Sequence, residues 1–326
     1  MSFLDDLGPR AAATPRRIGF PEPHEERTRQ AMARLAVGGW VVPVAIGSPE
    51  RTEDVRRESP DIEVLDPADP ALRGVALRHC ADLPPPGGGD SLGFAVAVLA
   101  ADLLDGVVAG AFRPTAEVLR AGLRILGTAP ATRTVSGSFY LIAPDEEGPE
   151  RVLTFTDAAV VPRPTALQLA EIAEAACQAR TRIVGDEPRV AFLSYSTCGS
   201  AGGESVTRVR AGMEIFRKRC PGIVADGELQ ADAALVPAIG RRKSPSSVLA
   251  GRANVLVFPD LDAGNIAYKL VQHLAGVPAL GPILQGLDRP LNDLSRGAAV
   301  EEIVHVACIT ALMAADPVPA VDPDPA

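Results

Sequence analysis

The stretch from Gly281 to Gly297, GPILQGLDRPLNDLSRG, joins a short apolar run to a long helical pattern. Leu280–Leu284 has the composition of a buried strand. Gly281, Gly286 and Gly297 permit a tight backbone path at its end. Asn292, Asp293, Ser295 and Arg296 then crowd polar groups just before a helix. That helix, Val300–Ala314, carries Val300, Ile303, Val304, Ala307, Cys308, Ala311 and Leu312 on one stripe at three-and-four spacing. Strand, polar turn and helix in this order make one unit of an α/β fold. A serine and an arginine at the turn, beside unpaired helix N–H groups, form an anion site. The same side chains would serve equally well as turn formers and helix caps.

Working outward, the unit recurs along the chain. Strand patterns fall at Arg17–Phe20, Trp40–Ile46, Ile62–Leu65, Gly106–Ala111, Val135–Ile142, Val190–Ser194, Ile223–Ala225 and Asn254–Phe258. Helical patterns fill the gaps at Glu22–Val37, Ser91–Leu104, Thr115–Leu126, Thr165–Val184, Gly203–Arg219 and Ala263–Leu274. Such alternation predicts an α/β protein with a mostly parallel sheet. Its 326 residues suggest about two domains. The polar turn Pro144–Pro149 is the expected boundary, and Pro84–Gly89 reads as a local insert. Met1–Pro15 and Asp316–Ala326 read as frayed ends.

Three further segments carry polar groups after a strand. Ser194–Gly203 is a Ser/Gly-rich loop whose backbone could cradle an anion, although no Gly-Lys-Ser/Thr closes it as in a Walker loop. Asp226–Ala234, DGELQADAA, offers carboxylates for acid-base work or for a solvated loop. Pro259, Asp260, Asp262, Gly264 and Asn265 follow the strand ending at Phe258, where open α/β sheets bind ligands. A capped connection would look the same.

Composition narrows the classes. Net charge is −9, which disfavours a general nucleic-acid binder. Five cysteines with no CxxC spacing, and four scattered histidines, predict neither a disulfide framework nor a metal site. His79, His273 and His305 read as structural. Met1–Arg17 lacks the apolar core of a secretory signal. The most apolar stretch, Phe94–Ala111, is interrupted by Asp102 and Asp105 and is too short for a membrane helix of about 20 residues. The cytoplasm is the expected compartment.

Taken together, the four segments resemble the phosphate acetyltransferase (phosphotransacetylase) or phosphate acyltransferase family. Its Ser/Gly loop, DGELQxDAA, FPDLxAGNIxYK and GPxLQGLxxPxNDLSRG occur in order at Ser196–Ser200, Asp226–Ala234, Phe258–Lys269 and Gly281–Gly297. The resemblance is strong over residues 189–315 and weaker upstream, at Asp157–Ala170 and Gly110–Thr128. The first eighty residues match through Phe20-Pro21-Glu22 and Glu25-Glu26-Arg27-Thr28. It implies a two-domain α/β fold of the isocitrate/isopropylmalate-dehydrogenase kind, with an active-site cleft between domains. Residues 1–143 with 290–326 would form one domain and 144–289 the other. The implied reaction moves an acyl group, acetyl first, between coenzyme A and inorganic phosphate, with CoA or acyl-CoA as substrate and no metal or other cofactor. A homodimer is implied, with no nucleic-acid or membrane partner.

Carried over by position, the resemblance makes Ser295 the transition-state donor, Arg296 an anchor for phosphate or CoA, and Glu302 the catalytic carboxylate, where the family has Asp. Arg120 and Arg78 match active-site arginines. Ser196, Thr197, Gly199, Ser200, Asn265 and Asn292 are expected at the substrate. Cys198 stands where the family loop has a basic residue, and reads as a small loop residue. These departures keep two alternatives in view: an impaired paralogue that binds acyl-CoA or a partner protein, and an enzyme for propionyl or butyryl groups. An NAD-linked dehydrogenase on the same fold lacks the dinucleotide fingerprint.

Overall fold

Short β-branched runs become the centres of two sheets, with helices on their faces. The computed structural model describes residues 2–85, 91–130, 132–145, 148 and 150–314. Its strands are β1 (Arg17–Phe20), β2 (Val42–Ile46), β3 (Glu63–Leu65), β4 (Gly106–Ala109), β5 (Ser136–Ala143), β6 (Arg151–Thr156), β7 (Arg189–Leu193), β8 (Val224–Leu229), β9 (Val255–Val257), β10 (Ala279–Gln285) and β11 (Leu291–Asp293). Its helices are α1 (Phe3–Ala12), α2 (Glu26–Gly38), α3 (Pro49–Glu58), α4 (Pro70–His79), α5 (Ser91–Ala100), α6 (Thr115–Ile125), α7 (Ala166–Ile183), α8 (Glu204–Arg219), α9 (Ala231–Leu235), α10 (Pro237–Lys243), α11 (Leu261–Ala275) and α12 (Val300–Met313).

The first sheet runs β11-β4-β1-β2-β3, parallel throughout. The second runs β10-β5-β6-β9-β7-β8 and is antiparallel only where β5 pairs with β10 and β6. The expectation of an α/β protein with mostly parallel sheets holds. One core cluster draws on both sheets: Leu7 and Ala11 of α1, Ile183 of α7 and Ile303 of α12 pack with Ile18, Phe20, Tyr140 and Ile283. Burying each such aliphatic side chain stabilises the fold by about 1.5–3 kcal/mol.

Several expectations give way. The N-terminus is not frayed: Ser2 and Asp5 cap α1 reciprocally, and Arg10 donates to the carbonyls of Ile183 and Arg182. The motif Asp226–Ala234 does not follow its strand but lies partly inside it, since β8 pairs with β7 as far as Leu229. The boundary expected after Ala143 falls between two paired strands, so β5 sits in the second sheet beside β6. The chain instead crosses between the sheets at two neighbouring segments, where Thr128 bridges Leu287 and the Asp288 N–H bonds the Gly127 carbonyl. The insert from Pro86 to Gly89, part of the Pro144–Pro149 turn and the tail from Asp316 lie outside the described residues.

Candidate active site

Ser295 and Arg296 stand in the turn between β11 and α12, at the carboxyl edge of the first sheet. Both are exposed. The Ser295 carbonyl accepts from the Ala298 N–H at 2.9 Å, closing a tight turn that leaves the side chains outward. Glu302 lies on the first turn of α12, half-buried, and accepts a hydrogen bond from the Ala299 N–H. Burial pushes its carboxyl above the ordinary range. A carboxylate with raised proton affinity, at the edge of solvent, suits a general base for a thiol.

Two residues far away in sequence secure this turn and the neighbouring loop after β4. Arg27, on α2, donates to the carbonyls of Arg296 (3.0 Å), Ala298 (2.8 Å) and Ala111 (3.2 Å), while Glu25 pairs with its guanidinium. Glu22, buried, accepts the N–H groups of Gly110 (3.0 Å), Phe112 (3.3 Å) and Arg113 (2.9 Å). These two side chains fix the loop after β4 and join it to the loop after β11. In the sequence both are points of weak resemblance with no evident role. The signal was present, since a carboxylate and an arginine sit beside a strand end, but nothing local says which backbone they grip.

Arg120 is exposed on α6 and lines a cavity of about 270 Å³ with Leu92, Gly93, Arg113, Glu117 and Arg124. Arg78 is exposed on the last turn of α4, where it donates to the Gly74 carbonyl. The segment that follows it is tied to the Arg120 helix, because Arg124 bonds Asp82 at 2.9 Å and the Cys80 sulfur at 3.2 Å. Asn292 is fully buried. Its amide bridges the Leu284 N–H and the Thr310 hydroxyl, so it braces β10, β11 and α12 together. Asn265 donates to the Ala158 carbonyl.

In the Ser/Gly loop the donors are already engaged. Ser196 Oγ (2.8 Å) and the Gly199 N–H (2.9 Å) both donate to Glu228, which also takes two bonds from Arg210. The Arg210 guanidinium, first, draws the Glu228 carboxyl down to about 2. Thr197 exchanges bonds with Gln230 and Ser200. Cys198 is exposed, with its sulfur 3.0 Å from Ser244 Oγ. Among the described residues no cluster of His, Cys, Asp and Glu is placed to hold a metal ion.

A family model described as phosphate acetyl/butaryl transferase matches residues 88–311. The chain belongs to that family. A phosphate acetyltransferase of Clostridium acetobutylicum is 39% identical over 96% of this chain and 99% of its own. The EutD phosphotransacetylase of Staphylococcus aureus superposes with a TM-score of 0.86 at 32% identity, covering 96% of this chain and 98% of that one. The 4-hydroxythreonine-4-phosphate dehydrogenase of Klebsiella pneumoniae, 13% identical with a TM-score of 0.54 over 93% of this chain and 100% of that one, shares the fold alone. The dehydrogenase-like fold implied by the sequence is thus the fold of this family member. Its relatives carry acetyltransferase names, and neither an impaired paralogue nor a longer-chain enzyme gains support from them.

Proposed function

We propose that this chain transfers an acetyl group between coenzyme A and inorganic phosphate. The observation that carries the reading is the Ser295–Arg296 turn of a phosphate acetyl/butaryl transferase, exposed at a sheet edge with Glu302 seven residues on. In the direction that makes acetyl-CoA, Glu302 takes the proton of the CoA thiol. The thiolate sulfur attacks the carbonyl carbon of acetyl phosphate, the bond from that carbon to the phosphate oxygen breaks, and phosphate leaves with the electron pair. A free thiol has a pKa near 8.5, about 1.5 units above neutral pH, so a base raises the reactive fraction. Ser295 donates to the developing oxyanion, and Arg296 and Arg120 hold the anionic groups. Arg78, one helix away, extends that basic surface. The two sheets act as lobes that meet at the 127–129 and 286–288 crossings, with substrate between them.

The finer context follows from the same reading. We take acetyl-CoA with inorganic phosphate, or acetyl phosphate with CoA in the reverse direction, as the substrates, with no metal or other cofactor. The five cysteines are free, in keeping with a reducing cytoplasm. No helix among the described residues is long and apolar enough to cross a membrane. Ile266, Leu270 and Leu274 form an exposed apolar stripe along α11, which supports a homodimer; sedimentation would read it.

The test is thiol release from a panel of acyl-CoAs in the presence of phosphate, with Ser295→Ala and Glu302→Ala alongside. Phosphate-dependent turnover, greatest with acetyl-CoA and reduced about 10²–10⁴-fold in the Glu302 variant, is expected. Absence of turnover with every donor would reject the reading.

A further inference from the structure

Asp293 ends β11, two residues before Ser295. It is fully buried. Oδ2 accepts one hydrogen bond, from Thr115 Oγ1 at 2.5 Å, and Oδ1 has no partner. Thr115 is the first residue of α6, the helix that carries Arg120. On its other side Oδ1 rests against Gly110, so closely that a β-carbon there would come within 2.2 Å. Asp293 therefore touches the segment leading to Ser295, the start of the Arg120 helix and the loop that Glu22 holds.

We propose that Asp293 is a positioning residue for acyl transfer, a buried carboxyl that joins the Ser295 turn to the start of the Arg120 helix. The inference rests on the transferase reading above. Its physical basis is the mismatch between burial and bonding. A carboxylate at a fully buried position needs well-aligned donors on both oxygens; Oδ1 has no full hydrogen bond, and the neighbouring Leu294 N–H, which favours the charged form, is already given to the Ala109 carbonyl. Glu22 adds a second carboxyl nearby, and burial together with that neighbour pushes Asp293 up to about 7. Other charged groups around the junction are already committed. Arg27 of α2 is spent on backbone carbonyls and Glu25, Arg113 and Glu117 pair with each other at 3.0 Å, Arg296 points to solvent, and Glu302 bonds the Ala299 N–H. None of them bonds Oδ1. Once ionised, Asp293 gains a charge without a counterpart, and the junction relieves it by moving the turn away from α6.

The experiment is the pH dependence of kcat and kcat/KM for wild type, Asp293→Asn, Asp293→Ala and Thr115→Val, with acetyl phosphate and CoA. Asparagine copies the shape of the neutral acid and cannot ionise. Wild-type kcat/KM, which reports the free enzyme, should carry a limb that falls as pH rises through about 7. Asp293→Asn should stay within about threefold of wild type at lower pH and lack that limb. Asp293→Ala should lose kcat by about 10–100-fold at every pH, with KM for CoA moving less, since a shift near 1 Å costs up to about 10²-fold. Thr115→Val should lower kcat while keeping the limb. A limb that persists in Asp293→Asn, or an Asn variant as impaired as a folded Ala variant, overturns the proposal while leaving the transferase intact. A wild type with no turnover removes the transferase reading, and this inference with it.

Discussion

Gly110→Ala tests the junction by steric means. Gly110 has φ of +100°, where residues other than glycine carry strain of about 1–3 kcal/mol. Its added β-carbon would lie 2.2 Å from Asp293 Oδ1 and 2.8 Å from both the backbone N and O of Leu294. Neither neighbour yields easily. Asp293 is buried and held by Thr115, and the Leu294 N–H is bonded to the Ala109 carbonyl at 2.8 Å. The strand end must therefore retreat by about 1 Å, carrying Ser295 and Arg296 with it. Adding overpacking of about 1–3 kcal/mol gives a loss of stability of about 2–6 kcal/mol. The same displacement costs about 10²-fold in kcat. Gly127→Ala is the control, since Gly127 also has positive φ, +71°, but nothing within 4 Å of the added carbon. It should lose about 1–2 kcal/mol and keep its activity. Urea unfolding and acetyl transfer read both variants. Equal losses in the two, or wild-type kcat in Gly110→Ala, would refute the reasoning.

Arg27→Ala leaves three carbonyls without their donor, and should destabilise the Arg296 turn by about 1–3 kcal/mol and lower kcat about tenfold or more; Arg27→Lys, which cannot reproduce the fork, should rescue little. Glu228 has a folded pKa of about 2 against an ordinary 4.5, so its contribution is complete above the ordinary value and disappears as pH falls towards 2. Glu228→Gln should therefore cost about 2–3 kcal/mol at neutral pH, with the gap to wild type closing in acid; a gap constant with pH would contradict this. Leu7→Ala, at a fully buried position on α1, should cost about 2–5 kcal/mol in urea unfolding, against almost nothing if the N-terminal helix were detached.

The strands at the centre of each sheet were legible because a parallel strand buried on both faces is a continuous apolar run. β1, with Ile18, Gly19 and Phe20 buried, shows this plainly. β11 was not, because Leu291–Asp293 is short and two of its three residues are turn formers; only pairing with β4 makes it a strand. β6 was missed because Arg151–Thr156 follows the polar turn and carries no long apolar run. α1 looked frayed because half its residues are polar or small, yet Leu7 and Ala11 at i and i+4 bury one face. Ser295 and Arg296 stand out in the sequence as a polar turn before a helix, and Glu302 only through the family resemblance; their roles belong to the proposed function. The side chains that hold this turn were not legible, since Arg27 reaches Arg296 across 269 residues and Thr115 reaches Asp293 across 178. Periodicity and local spacing carry no record of such pairs.

The Ser/Gly loop shows why local motif chemistry needs its electrostatic surroundings. Read alone, the loop from Ser196 to Ser200 is a cradle of donors suited to phosphate. In the fold that cradle already holds an anion: Glu228 receives the Gly199 N–H, the Ser196 hydroxyl and the Arg210 fork. A phosphate arriving at the same donors would meet a buried carboxylate with its proton affinity pulled down, and like charges at that distance repel. Cys198 in place of a basic residue adds no compensating charge. At the arginines proposed for the substrate the balance is opposite. Arg296, Arg120 and Arg78 are exposed, and no ion pair is formed by any of the three among the described residues. Glu228 gives the second-sheet loop its shape, whereas Arg296, Arg120 and Arg78 keep their charge open to solvent, as the proposed contact with phosphate requires.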